Sequence, residues 1–378
     1  MLARESKMTI REFGLERYFA EHEFKVRHVL SASDCESLSM AELLGMASPE
    51  ALAVWRDLRL SYTESQGHPR LRTAIAELYG SVAPDGVVVA APEEAIFVVM
   101  HALLEPGDRV VVQTPAYQSL HEVARSIGCE VVTWRLASDR RGWGLDIDAL
   151  GRLVDERTRM VVVNFPHNPT GAQATRAQLD AIVALTGARG AWLFSDEMYR
   201  LLEHEPGDRL PAVADLYERG ISLSGLSKAF GLPGLRIGWL ASRAPGLAAR
   251  VVAFKDYTTI CSSAPSEALA VAALGARARI LARNLAIVRG NVAAASRFFA
   301  AHSGRFEWLP ARSGSVAFPR WTGPGTVDEL CRGLLDRKGV MLVPGSLFDA
   351  AHHVRIGLGR RDLPEGLALL GEYLFALG

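Results

Sequence analysis

The most informative segment is Ser222-Leu223-Ser224-Gly225-Leu226-Ser227-Lys228-Ala229-Phe230-Gly231-Leu232-Pro233-Gly234-Leu235-Arg236-Ile237-Gly238-Trp239. Lysine is rare in the 378-residue chain, which has five lysines and 37 arginines. Small neighbours leave room for a flat ring to condense with the amine of Lys228, and an amine removed from water is a usable nucleophile and base. Arg236 has the fixed charge and planar geometry that suit a phosphate. The alternative is an ordinary loop lysine.

Short apolar runs alternate with helical patterns along most of the chain. Polar and apolar residues do not alternate within these runs, which is typical of strands buried on both faces. The pattern predicts an α/β fold with a mostly parallel seven-stranded sheet flanked by helices. Ligands bind such sheets beyond the carboxyl ends of the strands. The predicted strands are 86–90, 109–113, 130–134, 159–164, 191–195, 221–224 and 237–241.

The composition changes near residue 270. Residues 266–299 are rich in alanine and predict one helix long enough to bridge two domains. A smaller α+β pattern follows, with strands at 314–318, 340–343 and 354–358 and a helix at 327–338. We predict an N-terminal arm with part of the small domain at 1–50, a large domain at 51–270, and an interdomain helix with the C-terminal small domain at 271–378.

Charge and composition exclude several classes of protein. Lysine plus arginine and aspartate plus glutamate each total 42, so the chain is neither a nucleic-acid-binding polycation nor an acidic tail. The charged start Met1–Lys7 predicts no signal peptide, and no uncharged apolar run reaches membrane length. The cysteines are widely spaced, which predicts reduced thiols in a cytoplasmic protein without a metal site. They are Cys35, Cys129, Cys261 and Cys331.

The segment around Lys228 closely resembles the cofactor-lysine motif of fold type I pyridoxal phosphate (PLP) enzymes, in particular the class I/II aminotransferases. Further motifs occur in family order over almost the whole chain. The resemblance implies the PLP type I fold, with a large PLP-binding domain. It also implies that Lys228 is the catalytic residue, holding PLP as an aldimine, and that Arg236 binds the phosphate.

Four residues that follow predicted strands are similar to the family residues around the cofactor ring. By resemblance, Asp196 pairs with the ring nitrogen and keeps the ring an electron sink, while Tyr199 donates to the phenolic oxygen. Asn168 lies in a turn similar to the family's N-P-x-N-P-T-G and contacts the ring oxygen and the substrate carboxylate. Tyr117 would lie against the ring. Their plainer interpretations include a helix N-cap for Asp196, a turn for Asn168 and packing for Tyr117.

Two more motifs concern the partner subunit and the substrate. Residues 62–72 resemble the family pattern Y-x-x-x-x-G-x-x-x-L-R, in which the tyrosine, here Tyr62, reaches the phosphate of the neighbouring subunit's cofactor. The resemblance therefore implies a homodimer with a shared active site. Arg355 stands where the family places the arginine that holds the substrate α-carboxylate, for which a bidentate guanidinium is well suited. Its alternative is an arginine on a surface strand.

The chain departs from the family at the phosphate. Where relatives have Gly-Ala or Ser-Gly-Thr, this chain has Ala91-Pro92-Glu93, so one N–H is lost and a carboxylate is added. The N–H of Glu93 can still bind, and we assign it to the cofactor. Gly225 replaces a hydroxyl residue, for which Ser222, Ser224 and Ser227 are the candidate substitutes. Ser227 is the one that we assign to the cofactor.

The loop at the front of the site, residues 30–37, also departs from the family pattern, and we call it the front loop. The family segment that reads roughly L-x-x-G-x-P-D is here residues 30–37, in which Ser33 is our substrate-binding candidate. This difference leaves the substrate and the reaction type open.

The leading hypothesis is an aminotransferase that moves an amino group between an amino acid and a 2-oxo acid by a ping-pong mechanism. The alternative is a PLP-dependent lyase or cyclase similar to capreomycidine synthase-like enzymes, which eliminate a substituent and close a ring on an arginine-derived substrate. A nicotinamide dehydrogenase is disfavoured because no G-x-G-x-x-G follows the first strand. A PLP-domain regulator is disfavoured because about fifty residues leave little room for a DNA-binding module.

Overall fold

The computed structural model describes residues 10–139 and 142–377. The segment Met1–Lys7, for which we predict no signal peptide, lies outside the described residues. Within them, no helix is both long and apolar enough to cross a membrane. The helices are α1 (Gly14–His22), α2 (Met40–Met46), α3 (Pro49–Arg56), α4 (Pro69–Ala76), α5 (Pro92–Leu103), α6 (Ser119–Ile127), α7 (Ile147–Leu153), α8 (Arg176–Gly187), α9 (Val213–Leu216), α10 (Leu247–Lys255), α11 (Ala264–Gly275), α12 (Arg277–Ala301), α13 (Val327–Lys338) and α14 (Leu363–Ala376).

The strands form one large sheet and several small ones. They are β1 (His28–Val29), β2 (Val87–Ala90), β3 (Arg109–Thr114), β4 (Glu130–Arg135), β5 (Ala137–Asp139), β6 (Gly142–Gly144), β7 (Thr158–Asn164), β8 (Trp192–Asp196), β9 (Gly220–Gly225), β10 (Gly238–Ser242), β11 (Phe306–Glu307), β12 (Val316–Ala317), β13 (Arg320–Trp321), β14 (Val340–Met341), β15 (Val343–Pro344) and β16 (Val354–Gly357).

The large sheet has seven strands in the order β2-β10-β9-β8-β7-β3-β4. Only β10 runs antiparallel to its neighbours, so the predicted α/β fold with a mostly parallel sheet is confirmed. The apolar runs of β3, β7 and β8 are buried because helices cover both faces of the sheet. The carboxyl ends of the parallel strands β3, β7, β8 and β9 lie at one edge, which is where this fold class binds ligands.

The C-terminal part packs smaller sheets against α13 and α14. A three-stranded sheet has the order β12-β16-β15, while β14 pairs in parallel with β1 from the N-terminal arm. The predicted strand 340–343 is therefore divided, because β14 and β15 pair with different partners. The predicted boundaries at 50/51 and 270/271 stay predictions, and the second falls within α11.

The prediction of a single helix at 266–299 is wrong in one respect. The segment forms two helices, α11 and α12, which meet at Ala276, where the backbone leaves the helical region (φ −92°, ψ 8°). Gly275 immediately before this residue is a poor helix former, and that weakens the helix at this point. The break leaves α12 as a 25-residue helix.

Candidate active site

A cavity of about 320 Å³ opens at the carboxyl edge of the large sheet. Tyr62 lies outside it, and its side chain is 88 % exposed. The other ten predicted site residues line it together. They are Ser33, Glu93, Tyr117, Asn168, Asp196, Tyr199, Ser227, Lys228, Arg236 and Arg355.

Lys228 follows β9 and points into this cavity, so it is half-buried rather than enclosed. Its Nζ donates a hydrogen bond to Ser33 Oγ at 2.7 Å. Lys228 and Gly231 are joined by a turn, which we call the lysine turn and in which the Gly231 N–H bonds to the Lys228 carbonyl. Gly231 has φ +63°, and a Cβ there would lie 2.8 Å from the carbonyl oxygen of Glu36. Glycine is therefore required where the front loop passes the lysine turn.

Asp196 ends β8 at the floor of the cavity and is buried. Its Oδ1 accepts the backbone N–H of Met198 at 3.0 Å. Burial raises the pKa of this carboxyl to about 6, although the Met198 N–H and the nearby Lys228 cation oppose the rise. A carboxylate in this position can form an ion pair with a protonated ring nitrogen. Tyr199 stands beside it with its hydroxyl group buried.

One of the three candidate serines faces the cavity. The hydroxyl of Ser222 donates to Glu197 Oε1 at 2.8 Å, and that of Ser224 faces the Glu197 carbonyl at 3.5 Å. Ser227 instead lines the cavity, and its buried Oγ has no hydrogen-bond partner among the described residues. At Gly225, an added Cβ would lie 3.0 Å from both Gly238 Cα and Ile237 O, so a hydroxyl residue does not fit there without a shift.

The N-terminus of α5 supplies fewer donors than usual. The Ala91 N–H bonds to Glu94 Oε2 at 3.4 Å, and Pro92 has no N–H. The N–H groups of Glu93 and Glu94 are left for an anion. Arg236 reaches the cavity from a left-handed backbone conformation with φ 55°, which is costly for a residue with a side chain.

Arg355 lies on β16 with its side chain buried in the cavity wall. Its guanidinium stacks between the rings of Phe19 at 5.6 Å and Phe348 at 5.4 Å. Its Nη1 donates to Asn168 Oδ1 at 3.4 Å and its Nη2 to the Ser31 carbonyl at 3.2 Å. Burial lowers the pKa of Arg355, yet arginine remains charged. The group is held in place to receive a carboxylate.

Three buried polar atoms on the cavity wall lack partners within the described chain. They are the Tyr199 hydroxyl, Ser227 Oγ and Arg355 Nε. Buried polar groups are nearly always hydrogen-bonded, so these three indicate a bound molecule. A ring with a phenolic oxygen, a phosphate and a substrate carboxylate offer the matching acceptors. The residues present therefore fit PLP with an amino acid. When bound, PLP supplies an electron sink for the α-carbon of the substrate.

The sequence did not reveal the contribution of the N-terminal helix α1 and the turn after it. Glu16, Phe19 and Glu23 all line the cavity. Glu16 Oε1 accepts the hydroxyl of Tyr117 at 2.7 Å. Their spacing of three and four residues places them on one helical face, but nothing in the sequence shows which surface that face covers.

The acidic residues at the mouth of the cavity differ in their partners. Asp34 is neutralised by Arg360, with a shortest N–O distance of 2.9 Å. Glu16 and Glu23 form no such contact with a cation in the described parts of the chain. Burial, reinforced by the charge of Asp34, raises the pKa of Glu23. The mouth therefore contains two carboxyl groups, those of Glu16 and Glu23, that have no ion-pair partner in the described parts of the chain.

The sequence matches one family of known proteins over most of its length. The model of the family described as aminotransferase class I and II matches residues 37–363. The chain belongs to this family. It is an enzyme of the PLP-dependent aminotransferase fold, and its cofactor is PLP. Family members use amino acid and 2-oxo acid substrates and are typically dimers.

Individual relatives in the family carry out different reactions. Capreomycidine synthase from Streptomyces vinaceus is 35 % identical over 367 residues, which cover 95 % of this chain and 93 % of that protein. A PLP-dependent aminotransferase from Streptococcus suis superposes with a TM-score of 0.91 at 30 % identity, covering 98 % of this chain and 99 % of the other. The PLP-dependent cyclase OrfR superposes with a TM-score of 0.89 at 32 % identity, covering 100 % and 99 %.

Proposed function

We propose that this protein is an aminotransferase that moves an amino group from an amino acid to a 2-oxo acid by a ping-pong mechanism. The observation that carries the proposal is the convergence of Lys228, Asp196 and Arg355 in one cavity. These are the proton carrier, the partner of the ring nitrogen and the carboxylate clamp that transamination needs.

Each residue has a role that follows from its contacts. Arg355, fixed by Asn168 and two aromatic rings, orients the α-carboxylate of the substrate. Lys228 would carry the proton of the substrate α-carbon, because its amine lies inside the cavity, and PLP would supply the electron sink there. Ser33 accepts a hydrogen bond from the Lys228 amine and so directs it within the cavity.

The charge of the cavity favours an amino donor with a cationic side chain. Glu16 and Glu23 lack cationic partners in the described chain, and an opposite charge would offset their repulsion. The cationic side chains in the described lining are Lys228, Arg236 and Arg355, and each already has a role. No further arginine in the described lining is left for a side-chain carboxylate, which disfavours aspartate and glutamate.

A lyase or cyclase is the second candidate function. It is favoured by the similarity to capreomycidine synthase and to the cyclase OrfR, which extends over nearly the whole chain. Elimination and ring closure need the same lysine and the same electron sink, so the core residues serve either reaction. The two candidates differ in whether the amino group of the substrate is transferred to the cofactor.

The proposal includes a homodimer with a shared site. Tyr62 is 88 % exposed and borders a groove formed with α3 and the start of α11. A second copy of the chain that covers this groove would carry Tyr62 to the phosphate of the other subunit.

The test is an absorbance spectrum of the purified holoenzyme during a half-reaction. We would first offer arginine, its uncharged analogue norleucine, or glutamate without a 2-oxo acid, and then add pyruvate or 2-oxoglutarate to test the second half-reaction. Conversion of the visible band to the amine form, fastest with arginine, supports the aminotransferase. A cyclic or deaminated product with no amine form supports the second candidate.

The control for this experiment is a pair of lysine variants. Lys228→Ala should lose the visible band and at least about 10²-fold of the activity, as expected when a general base is removed. Lys338→Ala, which breaks only the surface contact with Glu372, should match the wild type. Failure of wild-type protein to bind PLP would overturn both candidates.

A further inference from the structure

Glu93 places a carboxyl group in the cavity where the phosphate of the cofactor is expected. It is half-buried at the second position of α5. Its Oε2 accepts the Ser119 hydroxyl at 3.1 Å, and it forms no ion pair with any described residue. The roles assigned to Lys228 and Arg355 above make no use of this group.

The phosphate end of the cavity is identified by independent features. Ser227 Oγ is buried without a described partner, and Arg236 faces the same space. The free N–H groups of Glu93 and Glu94 begin the helix there. This placement of the phosphate rests on the function proposed above.

The groups around Glu93 carry charges of both signs, and burial is the main influence on its pKa. Burial raises the pKa of Glu93 to about 7, and the charges of Glu16 and Asp196 add to the rise. The Ser119 hydroxyl and Arg236 oppose it. The titratable and charged groups that face it are Glu16 on α1, Tyr117 before α6, Asp196 on β8, Lys228 after β9, and Arg236.

A dianionic phosphate beside an ionised Glu93 would set two anions against each other, with Arg236 as the cation shared by both. When two anionic groups share a site, one of them keeps its proton well above its usual pKa. A carboxyl group with its proton is a hydrogen-bond donor, and it would replace the N–H that Pro92 lacks.

We propose that the Glu93 carboxyl and the cofactor phosphate share one proton, which is taken from solvent when PLP binds and which forms a hydrogen bond between them.

The sign of the pH dependence follows directly. Below about pH 7 the free protein already holds the proton on Glu93, so PLP binds without additional uptake. Above pH 7 the free protein has lost it, and binding must restore it. The dissociation constant for PLP should then rise toward about tenfold per pH unit relative to a variant with no titrating group at position 93.

The experiment compares PLP binding to apoprotein for wild type, Glu93→Gln and Glu94→Gln. Gln supplies a permanent donor of the same shape. Glu94 is the matched control, because it is the adjacent acidic residue and its side chain lies outside the cavity lining, where it accepts from the Ala91 N–H, Thr258 and Thr259. Calorimetry in buffers of different ionisation enthalpy counts the protons taken up at pH 6 and pH 8.

At pH 8 we expect wild type and Glu94→Gln to take up nearly one proton more than Glu93→Gln when PLP binds. At pH 6 we expect all three proteins to take up the same number of protons. Equal uptake by all three proteins at pH 8 would overturn the proposal. PLP binding by itself tests the proposed function, so the two failures are distinguishable.

A second measurement needs no variant. The phosphorus resonance of PLP bound to wild-type protein should titrate only above about pH 9, because a complex that holds nearly one extra proton at pH 8 releases it there. A resonance that already lies at the position of the proton-free phosphate at about pH 8, in a complex that takes up no extra proton, would contradict the shared proton.

Discussion

Lys228 Nζ and Ser33 Oγ lie 2.7 Å apart, although 195 positions separate them in the sequence. The front loop is held there by a second contact, in which Ser315 Oγ donates to the Ser33 carbonyl at 2.7 Å. The loop that departs most from the family pattern therefore contacts the amine that performs the proposed chemistry. We therefore expect changes in the front loop to alter the reaction of this enzyme.

Replacement of Ser33 by alanine should leave the cofactor bound and slow the reaction. Removing one hydrogen bond to a charged group costs about 1.5–3 kcal/mol when it is buried, and less at this half-exposed position. We therefore expect kcat/KM to fall about two- to tenfold with an unchanged visible absorbance band. Ser37→Ala, on the exposed part of the same loop, is the control and should match the wild type. A normal kcat/KM for Ser33→Ala would show that this hydroxyl does not act on the amine.

The Asp196→Asn variant should stabilise the cofactor-free protein at high pH. The folded pKa of Asp196 is about 6 and its ordinary value 3.8, so the folded state binds the proton more tightly than the unfolded state. As the pH rises from about 4 to 6, ionisation of Asp196 therefore progressively lowers the free energy of unfolding of the wild type. Above this range the decrease is complete. Asn keeps the acceptor for the Met198 N–H without the charge.

Thermal unfolding of the cofactor-free wild type and Asp196→Asn proteins tests the direction of this change in stability. At pH 8 the free energy of unfolding of the variant should exceed that of the wild type by at most about 3 kcal/mol. This difference should shrink toward zero at pH 4. The same variant should lose activity, because an amide cannot form an ion pair with the ring nitrogen. A variant less stable than wild type at pH 8 would contradict the prediction.

Arg355→Lys should weaken binding of the substrate carboxylate specifically. Lysine keeps the charge but cannot make the planar two-point contact or stack between Phe19 and Phe348. We expect KM for the amino acid to rise about tenfold to a hundredfold. Binding of the corresponding amine, which lacks the carboxylate, should change little, and this comparison is the measurement. An equal loss for both compounds would indicate a structural role for Arg355.

Tyr62→Phe should lower the affinity for PLP about tenfold, as expected for one hydrogen bond to a charged group. The reason is that its hydroxyl, exposed on the isolated chain, would reach the phosphate of the partner subunit. Tyr257→Phe is the matched control, since Tyr257 is 91 % exposed and lies outside the groove that Tyr62 borders. Sedimentation of both variants checks that the oligomeric state is unchanged. Unaltered PLP affinity of a dimeric Tyr62→Phe protein would exclude the shared site.

The sequence by itself determined the sheet and the residues that follow its strands. The apolar runs of β3, β7 and β8 are typical of strands buried on both faces, so the mostly parallel sheet could be predicted from the local pattern. Lys228, Asp196 and Asn168 were identified because each occupies a short, contiguous motif. For such residues the neighbours that define their role are close in sequence.

Tertiary structure decided what depends on contacts between distant segments. The sequence offered Ser227 without a reason to prefer it to Ser222 and Ser224, and the structure supplies that reason, because the hydroxyls of the other two face Glu197. The break of the predicted long helix at Ala276 is different, because it has a local cause in the weak helix propensity of Gly275.

The acidic mouth formed by Glu16 and Glu23 depends on where α1 packs, and no pattern within α1 specifies its partner. Local order follows from neighbouring side chains, whereas the charge and shape of the site come from segments brought together by folding.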